Sequence, residues 1–246
     1  MFNLVACEWI KWRRSRMLWL LVIGALLPAA LNFAVMLNRY NYDRTTVLHW
    51  SSYFGDNLML MTMLMCPTLF SLLIGYMFAR EFQERTVNNL LTGPESRYQV
   101  LAAKFIVVIP VMTAVLLLSM LLTWASGYII PHDSMTLSIL GETLGKYGLL
   151  LALQFALAPI SAAVAILGRS YIPAMGLGVF AVISELTIMQ SKYIMYYPWS
   201  APLNLVLNMS PELNKASVGA ATMSIAFLLP LLFVLIYFRR ADVHSG

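Results

Sequence analysis

The residues best equipped for chemistry or force transfer lie in one run between two apolar stretches, Arg80-Glu81-Phe82-Gln83-Glu84-Arg85-Thr86-Val87-Asn88-Asn89-Leu90-Leu91-Thr92-Gly93-Pro94-Glu95-Ser96-Arg97. Glu81 and Arg85 stand at i and i+4 in the stabilising order, Phe82, Leu90 and Leu91 add apolar surface, and Gly93-Pro94 ends the segment. The spacing predicts a short helix with a hard stop over 80–97, a rigid surface on which a partner can push; a solvated loop accounts for the same charges. Ser96 and Gln99 form a capping box opening the next apolar stretch. A second candidate is Glu185, a carboxylate inside an apolar run, which must face a cavity, find a partner, be protonated or reach water.

Catalytic constellations are missing from the sequence. The histidines His49, His132 and His244 stand in loops or the tail, with no HExxH and no GxSxG, so neither a zinc site nor a serine nucleophile can be drawn. No GxxxxGKS or GxxxxGKT occurs, so the chain is not itself a nucleotide-driven motor. The expectation is a protein that is not an enzyme and carries no metal or cofactor of its own.

The elements that must position these residues follow from composition. Of 246 residues, 60% are hydrophobic and only 11% charged, too little polar surface for a soluble domain. Six stretches are long and apolar enough to cross a bilayer as helices: 17–37, 58–79, 100–124, 147–167, 172–189 and 218–238. The prediction is an all-α polytopic protein, a single membrane domain over 1–246. The formal charge of +5 resides in lysines and arginines at the ends of the apolar stretches, a topology signal and not a nucleic-acid stripe.

With the amino terminus in the cytoplasm, that side collects Lys11, Arg13, Arg14, Arg16, Arg80, Arg85, Arg97, Lys104, Arg169, Arg239 and Arg240. The outside keeps Arg39, Arg44, Lys146, Lys192 and Lys215. Both termini are therefore expected inside. The first apolar stretch exceeds a signal-peptide core and is followed by five more, so it reads as a span. Cys7 and Cys66, one in a basic flank and one in a span, are not expected to bridge.

Around the spans, Val5, Trp9 and Trp12 recur at helical spacing while Glu8, Lys11 and Arg14 fall mostly on other faces, which suits an interfacial helix over 1–16 or a simple aromatic flank. Prolines 28, 67, 110, 159 and 230 sit inside spans, where they kink helices. Met59, Met61, Met63, Met65 and Met77 enrich the second span, as packing residues or as an adaptable lining for an apolar ligand. Tyr193, Tyr196, Tyr197 and Trp199 beside Pro198 and Pro202 read as an outer interfacial segment over 190–216.

The run from Glu81 to Lys104 resembles the signature of type-2 ATP-binding-cassette (ABC) permeases, Glu-x-x-Glu-Arg-Thr before Leu-Leu-Thr-x-Pro-x-Ser-Arg and a lysine. It is carried here by Glu81, Glu84, Arg85, Thr86, Leu90, Leu91, Thr92, Pro94, Ser96, Arg97 and Lys104. Within that family the chain is similar to the small permeases of bacitracin and lantibiotic immunity systems, and Tyr197 to Pro202 looks like their turn before the last span. The resemblance implies a coupling helix between spans two and three that touches the ATPase, here Arg80, Glu81, Glu84, Arg85, Thr86, Leu90 and Leu91. It also implies two permease chains, identical or not, around a path, and separate ABC ATPase subunits carrying ATP and magnesium.

The expected function is thus the permease of an ATP-driven exporter in a bacterial cell membrane. Its expected substrate is an antimicrobial peptide or another amphipathic molecule, with Glu185, Met59 and Met63 as candidate path residues. An ion-coupled transporter or a non-transporting membrane anchor or sensor fits the same composition.

Overall fold

The computed structural model describes residues 2–15, 17–84, 96–209 and 215–240. It is helical throughout, with no strand among the described residues; the nearest approach is one isolated bridge between Leu48 and His132. A first helix, α1 (Phe2–Arg13), precedes α2 (Met17–Tyr42), α3 (Trp50–Gln83), α4 (Arg97–Gly127), α5 (Leu137–Gly168), α6 (Tyr171–Ile188), a short α7 (Ala201–Leu207) and α8 (Ala216–Arg240). Six of these, α2 to α6 and α8, are long and apolar enough to cross a membrane.

The helices outrun the apolar stretches that announce them. α3 begins at Trp50, eight residues before the apolar run, and α5 begins at Leu137 instead of Tyr147. The added turns carry polar residues such as Asp56, Asn57, Glu142 and Lys146, which hydropathy reads as loop although the backbone continues as helix. Most of the helix expected over 80–97 lies outside the described residues. Arg80 and Glu81 are not in a separate helix but in the last turn of α3. The Ser96 and Gln99 capping box opens α4 as read from the sequence.

α3 changes register in its middle, where Met61–Phe70 is π-helical around Pro67. Proline supplies no N–H to the preceding turn, and the wider i→i+5 winding, ordinarily confined to single-turn bulges, accommodates the gap. α6 packs on this segment through Gly178, where an added Cβ would lie 2.6 Å from the Pro67 carbonyl oxygen and 2.9 Å from Thr68 Cα. Two sets of interior polar groups are paired between helices: Asn57 Nδ2 donates to the Tyr147 hydroxyl at 2.7 Å and to Ser119 Oγ at 3.1 Å, and Ser161 Oγ donates to Ser71 Oγ at 3.0 Å.

At the end of the bundle far from α1, a strap ties α3 to α4. Leu48 N–H donates to the Pro131 carbonyl and Asp133 N–H to the Leu48 carbonyl. Trp50 Nε1 donates to the Asp133 carbonyl at 3.0 Å, and its fully buried indole packs against Phe54, Tyr128 and His132. The segment 189–200 forms a series of turns before α7. Within this part of the chain Ile194, Met195 and most of α7 are buried, while Tyr193 and Tyr196 remain exposed.

Candidate coupling site

Lys104 stands two turns into α4 with 1% of its surface exposed. An ammonium in an apolar span is tolerable only if its three donors find acceptors, and all three do. Nζ donates to Glu81 Oε1 at 2.6 Å, to the Met77 carbonyl at 2.9 Å and to Glu8 Oε2 at 3.3 Å. Glu81 is set by the last turn of α3, and Glu8 by the middle of α1, so one buried cation holds three helices together.

Lys11, one turn beyond Glu8, closes the ring. Its Nζ lies 2.6 Å from Glu8 Oε1 and 3.4 Å from Glu81 Oε1. Two carboxylates and two ammoniums thus compensate one another. Arg80 borders them, donating from Nη1 to the Lys11 carbonyl at 3.2 Å and from Nε to Glu84 Oε1 at 2.6 Å. Burial opposes ionisation of Glu8, but the Lys104 charge and the Lys11 hydrogen bond outweigh it and hold its carboxyl below the usual range. Burial likewise disfavours the Lys11 ammonium, and the Glu8 bond and charge reverse that, raising it above the ordinary lysine range.

Of the residues singled out for coupling, Arg80, Glu81 and Glu84 meet here. Arg85, Thr86, Leu90 and Leu91 lie outside the described residues. Arg80 pairs with Glu84 along the helix, and Glu81 turns inward to Lys104 and Lys11; the expected Glu81 to Arg85 pairing involves a residue outside the described ones. Sequence reasoning missed Glu8, Lys11 and Lys104 as a group, and it placed Glu8 off the packed face of α1 when Glu8 and Trp12 are that helix's buried residues. The available signal was a lysine four residues inside an apolar stretch, which demands an anionic partner.

The second candidate group lies apart from this ring. Glu185 shares the inward face of α6 with Ala174, Gly178 and Ala181 and is 0% exposed, so it does not reach water. Neither carboxylate oxygen has a hydrogen-bond partner among the described residues, and the Gln154 Nε2 of α5 is unpaired in the same sense. Next in sequence, Ser184 pairs with the Tyr197 hydroxyl of the following segment. Met63 is buried and Met59 half-buried. Between α3 and α5, Cys66, Ser71, Gln154, Ser161 and Trp199 line a cavity of about 10 Å³, room for one water. No cluster of three metal-ligating side chains occurs among the described residues.

The profile of the ABC-2 family transporter proteins matches residues 4–185, from α1 through the α6 carboxylate. The chain belongs to that family. It is also 25% identical over 202 residues to the bacitracin transport permease protein BCRB of Bacillus licheniformis, covering 80% of this chain and 95% of that one. This ABC-2 protein is therefore a multi-pass membrane transport permease and not an enzyme, and its family ties it to an ABC ATPase. The Glu8, Lys11, Glu81 and Lys104 ring sits inside the matched region.

Proposed function

We propose that the chain is the permease of an ATP-driven exporter in a bacterial cytoplasmic membrane, with both termini inside, pairing with a second permease chain and expelling an antimicrobial peptide or a comparable amphipathic molecule. The observation that carries this reading is the buried ion ring at the root of the loop between α3 and α4. A loop that receives force from an ATPase needs a stiff attachment, and the ring binds its root to α4 and α1 at once. The likeness to a bacitracin transport permease supports the substrate class.

In this reading Arg80 to Thr92 meets the ATPase, ATP and magnesium stay on that subunit, and Lys104 passes displacement of the loop to α4 and α1. The test is a mild-detergent pull-down of the tagged chain with an ATPase assay on the eluate. Near-equal recovery of a nucleotide-binding subunit, with hydrolysis uncoupled by alanine at Glu84 and Arg85, is expected. Recovery of the chain alone, or transport that persists without nucleotide, overturns the proposal in favour of an anchor or an ion-coupled transporter.

A further inference from the structure

The basic residues near α1 divide into two groups. Lys11, Arg80 and Lys104 each meet a carboxylate, whereas Arg13 and Arg14 have no anionic partner among the described residues. Arg13 stands at the rim of a groove of about 430 Å³ where α1 crosses α2 and α4. Its floor is Trp12, Leu21 and Val111, all buried, and its walls are Trp9, Leu18 and the stretch Pro110 to Ala114. The volume falls within the roughly 300–1,000 Å³ usual for small-molecule sites.

The chemistry of this groove is two-part. Its walls are apolar and run along membrane-spanning helices, so the occupant's body is hydrocarbon. Its rim offers an unpaired guanidinium, whose planar donors suit phosphate oxygens. An arginine without an anionic partner among the described residues, beside the exposed Trp9, is suited to an anionic headgroup at a membrane surface. Trp12 joins the groove to the coupling site, because it lies one turn from Glu8 on the same helix.

We propose that this groove is a specific site for an anionic phospholipid of the cytoplasmic leaflet, its phosphate held by Arg13 and an acyl chain lying along Pro110 and Ala114, bracing α1 against α4. The leaflet assignment rests on the cytoplasmic placement of the amino terminus; the site itself does not.

Native mass spectrometry of the purified full chain, with phosphatidylglycerol or phosphatidylcholine added, tests the site. The expected result is one phosphatidylglycerol retained where phosphatidylcholine is stripped, a preference cut roughly fivefold by Arg13→Ala. Ala114→Trp fills the groove and removes the retained lipid. Arg13 is exposed, so its variant does not depend on repacking. Equal retention of both lipids, or a preference unmoved by Arg13→Ala, reduces the site to the ordinary lipid shell and overturns the proposal. A cross-linked dimer from Ala114→Cys in a Cys7→Ser background assigns the groove to a second copy and overturns it also. Cys7 is exposed and Cys66 buried, so an impermeant maleimide applied to sealed vesicles reads the side of α1. Labelling from outside overturns the leaflet while leaving the lipid preference to stand or fall alone, and neither readout requires the ATPase.

Discussion

Replacing Lys104 by methionine keeps most of the unbranched side chain and removes its charge, which isolates what the buried cation does. Glu8 and Glu81 then share one side with only the half-exposed Lys11 between them, and the Met77 carbonyl loses its donor. Removing one partner of a buried ion pair costs about 3–5 kcal/mol, because the remaining charge stays buried without compensation. That is roughly two to four powers of ten in the folding equilibrium, and Lys104→Met is expected to lower the detergent-unfolding midpoint accordingly. The triple variant Glu8→Gln, Glu81→Gln, Lys104→Met removes all the desolvated charges near Lys104 except Lys11. It is expected to recover most of the loss, since neutral replacement of a whole buried ion group is often neutral or stabilising. ATPase coupling should fail in both, because stability returns in the triple variant but the electrostatic tie does not. A Lys104→Met protein as stable as the parent, or a triple variant no better than the single, would refute the argument that one cation holds three helices.

Three further outcomes follow from other parts of the molecule. Gly178→Ala forces a Cβ onto the Pro67 carbonyl and should cost about 1–3 kcal/mol, while Gly176→Ala, with open space around it, should be silent in the same unfolding assay. The Glu8 carboxyl titrates below its ordinary range, so its stabilising effect is full above about pH 4.3 and is lost as pH falls through its lower folded value. Lys11, raised, contributes below about pH 10.4 and loses its effect as pH rises through the higher folded value. Unfolding midpoints should therefore be level between these limits and fall in acid, with Glu8→Gln losing the acid limb; parallel curves would remove Glu8 from the balance. Glu185→Gln should leave stability unchanged or raised, since the carboxylate has no hydrogen-bond partner among the described residues to lose, and should slow transport; transport at the parent rate would exclude Glu185 from the path.

Hydropathy made the six spans legible because each offers enough consecutive apolar residues, and it missed their polar ends for the same reason. Trp50 to Asn57 continues α3 in residues that no hydropathy window counts as membrane. The capping box at Ser96 was readable because its spacing is local. The ion ring was not, because Glu8, Glu81 and Lys104 are separated by long stretches of chain, and only the crossing of α1 over the roots of α3 and α4 brings them together. Glu185 was marked as costly from sequence, but its complete enclosure comes from the glycine at 178, which lets α6 press against the π-helical turn of α3. That close approach is a property of two helices in contact and leaves only a weak trace in either one alone.

The strap between Trp50 and Asp133 has a mechanical consequence. With Lys104 joining the same two helices at the opposite end, α3 and α4 form a frame fastened at both corners. Such a frame resists sliding or splaying of its two sides as rigid rods. Its compliance is confined to the places where helical hydrogen bonding is interrupted within each side: the π-helical stretch around Pro67 and the proline at 110. A displacement applied at Glu84 would travel as bending at these two joints, at mid-height in the bundle, while the fastened ends keep their spacing.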